Sequence, residues 1–320
     1  MRCFILAGGF ATRLWPLTEK RAKPLLPLAG KPLLTHIVEG IPEGISVTVS
    51  TNAAFGEAFE AWKKTLRRTD IAILIERTQK EDEKLGALGA VAQWIQAEKV
   101  EDDVLLLTGD NYFGFSLRTF LDAWQKNAPL LAAYDIGDRT KASSFGTVIL
   151  EQDGKTVKAF EEKPKDPQTT LVSTGCSILP KSALPILCQY AVTHPDNVGG
   201  IFEELRRQGT RVDCFTFKEP WFDIGSFEAY LEATRSLAGG NTLSSAEATV
   251  ERCRCEGTVV IGKGSTVRDC VLKDTVIFEN CDIEDSVLRE CVIDDGCVLV
   301  RADLDRKMLR AGTVLKRGEF

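Results

Sequence analysis

The carboxyl-terminal quarter of the chain repeats every 16 residues, a period that few backbone geometries satisfy. From Cys253 the blocks read CRCEGTVVIGKGSTVR, DCVLKDTVIFENCDIE and DSVLRECVIDDGCVLV. The second and third align Val271 with Val287, Leu272 with Leu288, Val276 with Val292, Ile277 with Ile293 and Cys281 with Cys297; the first joins them at Val260, Ile261 and Val267. Aliphatic residues every five or six positions in so short a repeat are what a parallel β-helix requires, because each coil buries its inward side chains only against the next. Three coils make a short solenoid, with the cysteines as small inward fillers. An antiparallel β-domain with accidental self-similarity is the competing reading.

Upstream of the repeat, β-branched runs alternate with amphipathic stretches, the pattern of strands and crossover helices in a mostly parallel α/β sheet. Strands are predicted at 2–6, 46–50, 71–75, 103–107, 130–134, 147–150 and 211–217, and helices at 32–39, 54–66, 87–98, 117–125, 183–190, 200–208 and 226–237. In such a sheet ligands bind beyond the carboxyl ends of the strands. The 320 residues suit about two domains, so we expect an α/β domain over 1–238, a small polar linker over 239–248, and a β-helix with a terminal tail over 249–320.

Composition narrows the function. With 40 Lys and Arg against 46 Asp and Glu, the net charge of −6 disfavours nucleic acid as a partner. No apolar run approaches a membrane span and no cleavable signal follows Met1, so a cytoplasmic chain without membrane partners is expected. Eight of the ten cysteines lie within two residues of Val, Ile, Leu or Phe, as buried reduced thiols would. The pair Cys253 and Cys255 has no second pair, and the only histidines are His36 and His194, so a structural zinc site lacks ligands.

The first strand runs into Ala7-Gly8-Gly9-Phe10-Ala11-Thr12-Arg13. Adjacent glycines there let backbone N–H groups approach an anion closely, although the loop fits neither a Walker motif nor a dinucleotide fingerprint. Residues 12–31 hold Arg13, Lys20, Arg21, Lys23 and Lys31 against Glu19 alone. That local excess of cations points to phosphate, with a solvated basic loop as the alternative.

The segment LAGGFATRLWPLTEKRAKPL resembles the signature of the sugar-1-phosphate nucleotidyltransferases (NDP-sugar pyrophosphorylases), GGxGTRLxPLTxxxPKPL, with Gly8, Gly9, Thr12, Arg13, Leu14, Pro16, Leu17, Thr18, Lys23, Pro24 and Leu25 in register. Ala11 replaces a glycine of the signature and Ala22 a proline. Further similar segments follow in the family's order over 1–235. Leu85-Gly86-Ala87-Leu88-Gly89-Ala90 resembles LGTAGA, Leu107-Thr108-Gly109-Asp110-Asn111 the GD motif, and Phe160-Glu161-Glu162-Lys163-Pro164 resembles FxEKP. Ser173-Thr174-Gly175-Cys176 is a looser NAG segment, and Trp221-Phe222-Asp223-Ile224-Gly225-Ser226 resembles WxDIGT.

The resemblance implies a Rossmann-like transferase domain followed by a short left-handed β-helix. It implies Arg13, Lys23 and Asp110 as catalytic residues, and Leu6, Ala7, Gly8, Gly9, Thr12, Arg13 and Gly86 around the nucleotide. It further implies Gly146, Glu162, Lys163, Thr174 and Gly175 around the sugar phosphate, and Mg²⁺ on Asp110 and Asp223. Chemistry agrees: the attacking phosphate is already ionised, so the protein chiefly positions two anions and neutralises charge, without a strong base. Two carboxylates with substrate phosphates suit Mg²⁺; an Asx-type turn at Asp110 and a helix N-cap at Asp223 are the structural alternatives.

Glucose 1-phosphate with dTTP or UTP is the favoured pair; mannose-1-phosphate guanylyl transfer and a catalytically silent regulatory subunit are the alternatives. The inserted-looking segment 78–84 blocks a residue-by-residue reading of base choice, and which of Glu161 and Glu162 faces the sugar stays open. With both histidines upstream of the repeat, acetyl transfer is not expected there. The β-helix is instead expected to support a homo-oligomer or regulation, with 304–320 as cap or contact.

Overall fold

The computed structural model describes residues 1–9, 12–76 and 85–316. The inserted-looking segment 78–84 lies outside the described residues. The chain divides into two compact units, Met1–Gly9 with Ile37–Asp223, and Phe10–His36 with Ile224–Phe320.

The first unit is built on a nine-stranded mixed sheet. Its strands are β1 (Arg2–Leu6), β2 (Ser46–Asn52), β3 (Ile71–Glu76), β4 (Val104–Thr108), β5 (Leu130–Asp135), β6 (Gly146–Leu150), β7 (Val157–Glu162), β8 (Leu171–Leu179) and β9 (Asp213–Phe217). Along the main path the order is β7-β6-β8-β4-β1-β2-β3, with β5 joining β8 and β9 joining β5. β4, β1, β2 and β3 are mutually parallel, and the apolar runs of β1 and β4 are what a strand covered on both faces needs. Cys3, Phe4 and Ile5 of β1 are fully buried, and Phe4 packs on Trp94 of the helix Ala87–Ala97 with ring centroids 4.7 Å apart.

β7 and β8 were not among the predicted strands. β8 runs antiparallel to β4, β5 and β6 and is bulged between Ser173 and Ser177. Its LVSTGCSIL sequence interrupts the apolar pattern at the bulge, which hides it from a periodicity argument.

In the second unit, strands from Thr242–Ser244 onward stack in two parallel sheets. Val271 pairs with Val287, Val276 with Val292, and Ile283 with Leu299, the 16-residue offset of the repeat. Every ladder among these coils is parallel, which excludes the antiparallel alternative. Inside lie Val267, Leu272, Ile283, Leu288, Leu299 and the buried thiols of Cys270, Cys281, Cys291 and Cys297. All ten cysteines are free thiols.

Corners recur through left-handed residues at the repeat spacing, Asp269, Asp285 and Arg301 with φ of 52°, 46° and 55°. Each such corner costs an L-residue about 1–2 kcal/mol, which stacking of the coil must offset.

The segment expected as a linker, 239–248, contains Thr242–Ser244, which pairs with Arg254–Ile261 as the first rung. The signature segment 10–36 also groups with the carboxyl-terminal part rather than with the sheet. Side-chain pairs hundreds of residues apart, described below, link these two stretches, and no local pattern could reveal them. Among the described residues no helix is long and apolar enough to cross a membrane.

Candidate active site

The carboxyl ends of β1, β2, β3 and β4 converge on the residues that follow β1. Ala7 N donates to Ser50 O at 2.9 Å and Gly109 N to Leu6 O at 2.7 Å. A Cβ on Gly109 would come within 3.0 Å of that same oxygen, so glycine is what allows the approach. Asn52 Nδ2 donates to Gly8 O at 2.9 Å. A Cβ on Gly8 would stand 3.3 Å from Glu76 Oε1, which accepts from Ser50 Oγ at 2.5 Å. Burial pushes the Glu76 carboxyl up from its ordinary value, and the Ser50 bond only partly opposes it. Glu76 was missed from the sequence; its place at the carboxyl end of β3 is the signal that could have found it.

Asp110 and Asp223 are brought together by a two-stranded ribbon. Asn111–Phe113 runs antiparallel to Trp221–Asp223, with Asp223 opposite Asn111. The buried Asn111 organises the corner: its Nδ2 donates to Asp110 Oδ1 and to Thr108 Oγ1, each at 2.8 Å, while its Oδ1 accepts from Trp221 Nε1 at 2.9 Å. The N-cap reading of Asp223 does not hold. Ser226 caps the helix Phe227–Ala238, its Oγ accepting from Ala229 N at 3.1 Å.

Two carboxylates on one ribbon are hard-oxygen donors of the kind Mg²⁺ takes, leaving its other positions to phosphate oxygens and water. Among the described residues no group of three or more His, Cys, Asp and Glu forms a metal cage. The donor set therefore fits a metal shared with substrate.

The FxEKP-like segment ends β7. Glu162 lies opposite Gly146 in the ladder with β6. A Cβ on Gly146 would meet Phe160 Cζ at 2.4 Å and Glu162 Oε2 at 3.0 Å, and one on Gly199 would meet the same carboxylate oxygen at 2.6 Å. Strand alternation turns Glu161 to the other face. Burial raises the Glu162 carboxyl above its ordinary value, and nearby Lys163, with Nζ at 3.8 Å, partly opposes that. Lys163 turns out through a left-handed φ of 46°, its N–H donating to Phe145 O at 3.1 Å, and its side chain is exposed.

Glu162 lines a cavity of about 420 Å³ together with Phe160, Tyr190, His194, Asn197 and Glu203. Tyr190 and His194 stack at 4.4 Å, and Asn197 Nδ2 donates to the Tyr190 hydroxyl at 3.1 Å. The stacked pair of Tyr190 and His194 was not read as a site from the sequence, because i, i+4 aromatic spacing reads as ordinary packing.

At the β8 bulge, Gly175 adopts φ of 75°, and a Cβ there would overlap Thr108 Oγ1 at 2.2 Å. This close approach sets the bulge against the end of the strand that precedes Asp110. Thr174 is buried, and its hydroxyl donates to Ala132 O at 3.0 Å. Gly86, with φ of 79°, packs against Pro195, whose carbonyl accepts from Leu88 N at 2.7 Å and Gly89 N at 3.1 Å. The first amides of the helix Ala87–Ala97 are thus already satisfied by protein.

In the second unit, Thr12–Leu14 and Lys23–Leu25 form single 3₁₀ turns. Lys23 is buried to 9 % exposure, uncommon for lysine, and it stands beside buried Ala22, Pro24 and Leu25.

Residues 2–239 match the family model described as nucleotidyl transferase. The chain is 28% identical over 243 residues to a mannose-1-phosphate guanylyltransferase of Mycobacterium tuberculosis, covering 74% of this chain and 64% of that protein. It is 24% identical over 273 residues to the bifunctional protein GlmU of Methanocaldococcus jannaschii, covering 61% of that protein. The chain thus spans less than two thirds of the length of these two relatives. It is 31% identical over 255 residues to a glucose-1-phosphate thymidylyltransferase of Mycolicibacterium smegmatis, covering 73% of this chain and 81% of that protein. A crystal structure described as a Bacillus anthracis glucose-1-phosphate thymidylyltransferase superposes with a TM-score of 0.63 at 21% identity, over 74% of this chain and 95% of that one, a likeness of fold.

Proposed function

Because the chain belongs to the nucleotidyl transferase family, we propose that it transfers a nucleotidyl group from a nucleoside triphosphate to a sugar 1-phosphate, releasing pyrophosphate. The observation that carries this reading is the ribbon that sets Asp110 beside Asp223 with Asn111 holding the Asp110 carboxylate. We assign the transfer to 1–238 and a supporting role to the coils of 249–320.

A phosphate oxygen of the sugar 1-phosphate attacks the α-phosphorus in line, the P–O bond to the β-phosphate breaks, and pyrophosphate leaves with its electron pair. The attacking oxygen is already an anion, so no residue has to remove a proton. Leu6, Ala7, Gly8, Gly9, Thr12 and Gly86 border the nucleotide. Arg13 and Lys23 bring forked and point-charge donors to the triphosphate. Lys163 and Glu162, with the backbone of Gly146, Thr174 and Gly175, hold the sugar phosphate. Mg²⁺, held by Asp110 and Asp223, would offset charge on the triphosphate.

We take glucose 1-phosphate with dTTP or UTP as the substrate pair, supported by the 31% likeness to a thymidylyltransferase along most of that protein. The 28% likeness to a guanylyltransferase supports mannose 1-phosphate with GTP as the second reading. A homo-oligomer formed through the coils is part of the proposal; Val250, Val271 and Val314 leave apolar surface exposed on them. Light scattering of the full chain tests it, with a monomer as the refuting result.

Pyrophosphate release, measured with each nucleoside triphosphate against glucose, mannose, galactose and N-acetylglucosamine 1-phosphates in Mg²⁺, tests the reaction and names the pair. No release anywhere on that grid by folded protein would refute the transferase reading in favour of a silent regulatory subunit.

A further inference from the structure

The signature segment carries Arg13 and Lys23, the cations expected to meet the triphosphate, on two single 3₁₀ turns. Besides the burial of its own Leu14, Leu17 and Leu26, side chains from the β-helix and the preceding helix hold it within its unit. Arg21, two residues before Lys23, donates through Nη1 to Asp294 Oδ1 at 3.0 Å and through Nη2 to Asp295 Oδ2. Its guanidinium also lies 5.1 Å from the centre of the Phe278 ring, itself buried in the same unit. Asp294 and Asp295 are consecutive residues of one coil corner, each held by a backbone amide: Asp294 Oδ1 accepts from Asp295 N at 2.8 Å and Asp295 Oδ1 from Glu279 N at 3.0 Å. The Asp294 side chain is only 8 % exposed.

A second pair lies at the other end of the segment. Arg310, on the last corner, pairs with Glu19 at 2.9 Å and covers Trp15 at 5.0 Å. A third contact comes from the buried Tyr230, whose hydroxyl donates to Pro27 O. Three separate elements thus grip positions 15, 19, 21 and 27, on both sides of Lys23. Forked, two-acceptor pairing of a guanidinium fixes orientation as well as distance, which a single surface ion pair would not.

We propose that Asp294 and Asp295, acting through Arg21, are positioning residues for nucleotidyl transfer: the β-helix serves as the template on which the cationic signature segment takes its reactive shape. This rests on the transferase reading above. It gives the repeat a part in turnover by each single chain, distinct from any part in assembly. A misplacement of about 1 Å costs up to about 100-fold in rate, so a loosened segment should lower kcat and raise the KM of the triphosphate while leaving the KM of the sugar phosphate unchanged.

The test is a double-mutant cycle in the full chain with Arg21→Gln and the shape-conserving pair Asp294→Asn/Asp295→Asn, read by pyrophosphate release and by amide exchange of residues 12–28. We expect each change to lower kcat by about 10- to 100-fold, the combination to be no worse than either alone, and exchange in 12–28 to quicken while the strands 271–277 and 298–300 stay protected. Arg21→Lys should recover part of the rate. Wild-type kcat in both variants, or losses that multiply, would overturn the proposal. If the aspartate pair prevents folding, Asp295→Asn alone, at the more exposed of the two acceptors, carries the same expectation and the same refutation. Should the wild-type chain turn out to be silent on every substrate pair, the exchange arm still decides: unchanged exchange in 12–28 overturns the template role, whereas quickened exchange upholds the grip and leaves only the transferase reading refuted.

Discussion

Replacing Asn111 by alanine tests the construction of the acidic corner most directly, because one side chain there makes three bonds. Without the amide, Trp221 Nε1 loses its acceptor. That indole is buried to 8 % exposure, and an unsatisfied buried donor costs about 1–3 kcal/mol. The bond to Thr108 Oγ1 is neutral and worth about 1 kcal/mol net, and the bond to Asp110 Oδ1, though charge-assisted, can be taken over by water at a half-buried carboxylate. The expected loss of stability is therefore about 2–4 kcal/mol, within the ~5–15 kcal/mol that a native protein has, so the variant should still fold. Its catalytic defect should exceed what stability alone explains: an Asp110 carboxylate free to rotate lowers kcat by about 10- to 100-fold.

Asn111→Asp separates the two effects. It keeps the acceptor for Trp221, so the indole stays paired, but it removes the amide donor and sets a like charge beside Asp110. It should therefore fall at least as far in kcat as the alanine variant while the Trp221 contribution to stability is retained. Urea unfolding and pyrophosphate release at saturating Mg²⁺ measure both quantities. An alanine variant with wild-type kcat, or a stability loss below about 0.5 kcal/mol, would refute the reasoning.

Three further outcomes follow from the same geometry. Asp223→Asn keeps shape and removes charge, so turnover should fall by about 100-fold or more with unfolding unchanged, and a normal rate at saturating Mg²⁺ would remove Asp223 from the metal site. Lys163→Ala takes away an exposed cation beside Glu162 and should chiefly raise the KM of the sugar phosphate; an unchanged KM in steady-state kinetics would move that site elsewhere. Glu76→Gln should raise stability at pH 7. The folded-state pKa of Glu76 lies above its unfolded value because of burial, so its favourable contribution is complete below the unfolded pKa and lost as pH rises through the folded one. The thermal-melt advantage of the glutamine variant should accordingly shrink as pH falls toward 4.5, and an advantage that grows on acidification would contradict the burial argument.

The β-helix was legible because its period is local. Val271 with Val287 and Ile277 with Ile293 are 16 residues apart in sequence and are ladder partners in space; stacking turns sequence periodicity directly into register. The parallel centre of the sheet was legible for a related reason, since β1 and β4 are short, largely apolar runs with buried centres. β8 was not. Its small and hydroxylated residues serve the close packing of Gly175 on Thr108 and the buried bond of Thr174, and such uses leave no period to read.

The candidate site divides along the same line. The order of the signature, GD-like, FxEKP-like and WxDIGT-like segments stands in the sequence, and with it the residue types that transfer between phosphates calls for. Placement did not. Trp221 reaches Asn111 across 110 positions and Arg21 reaches Asp294 across 273. Glu162 came to the cavity, with Glu161 on the other face, only when the strand met Gly146, and the helix cap fell to Ser226 rather than Asp223 only when the ribbon closed. Local composition determines which backbone shapes a segment favours, because propensity and burial pattern act over a few residues. Which distant donor meets which acceptor depends on the way the folded chain returns on itself, and the tertiary structure alone decided that.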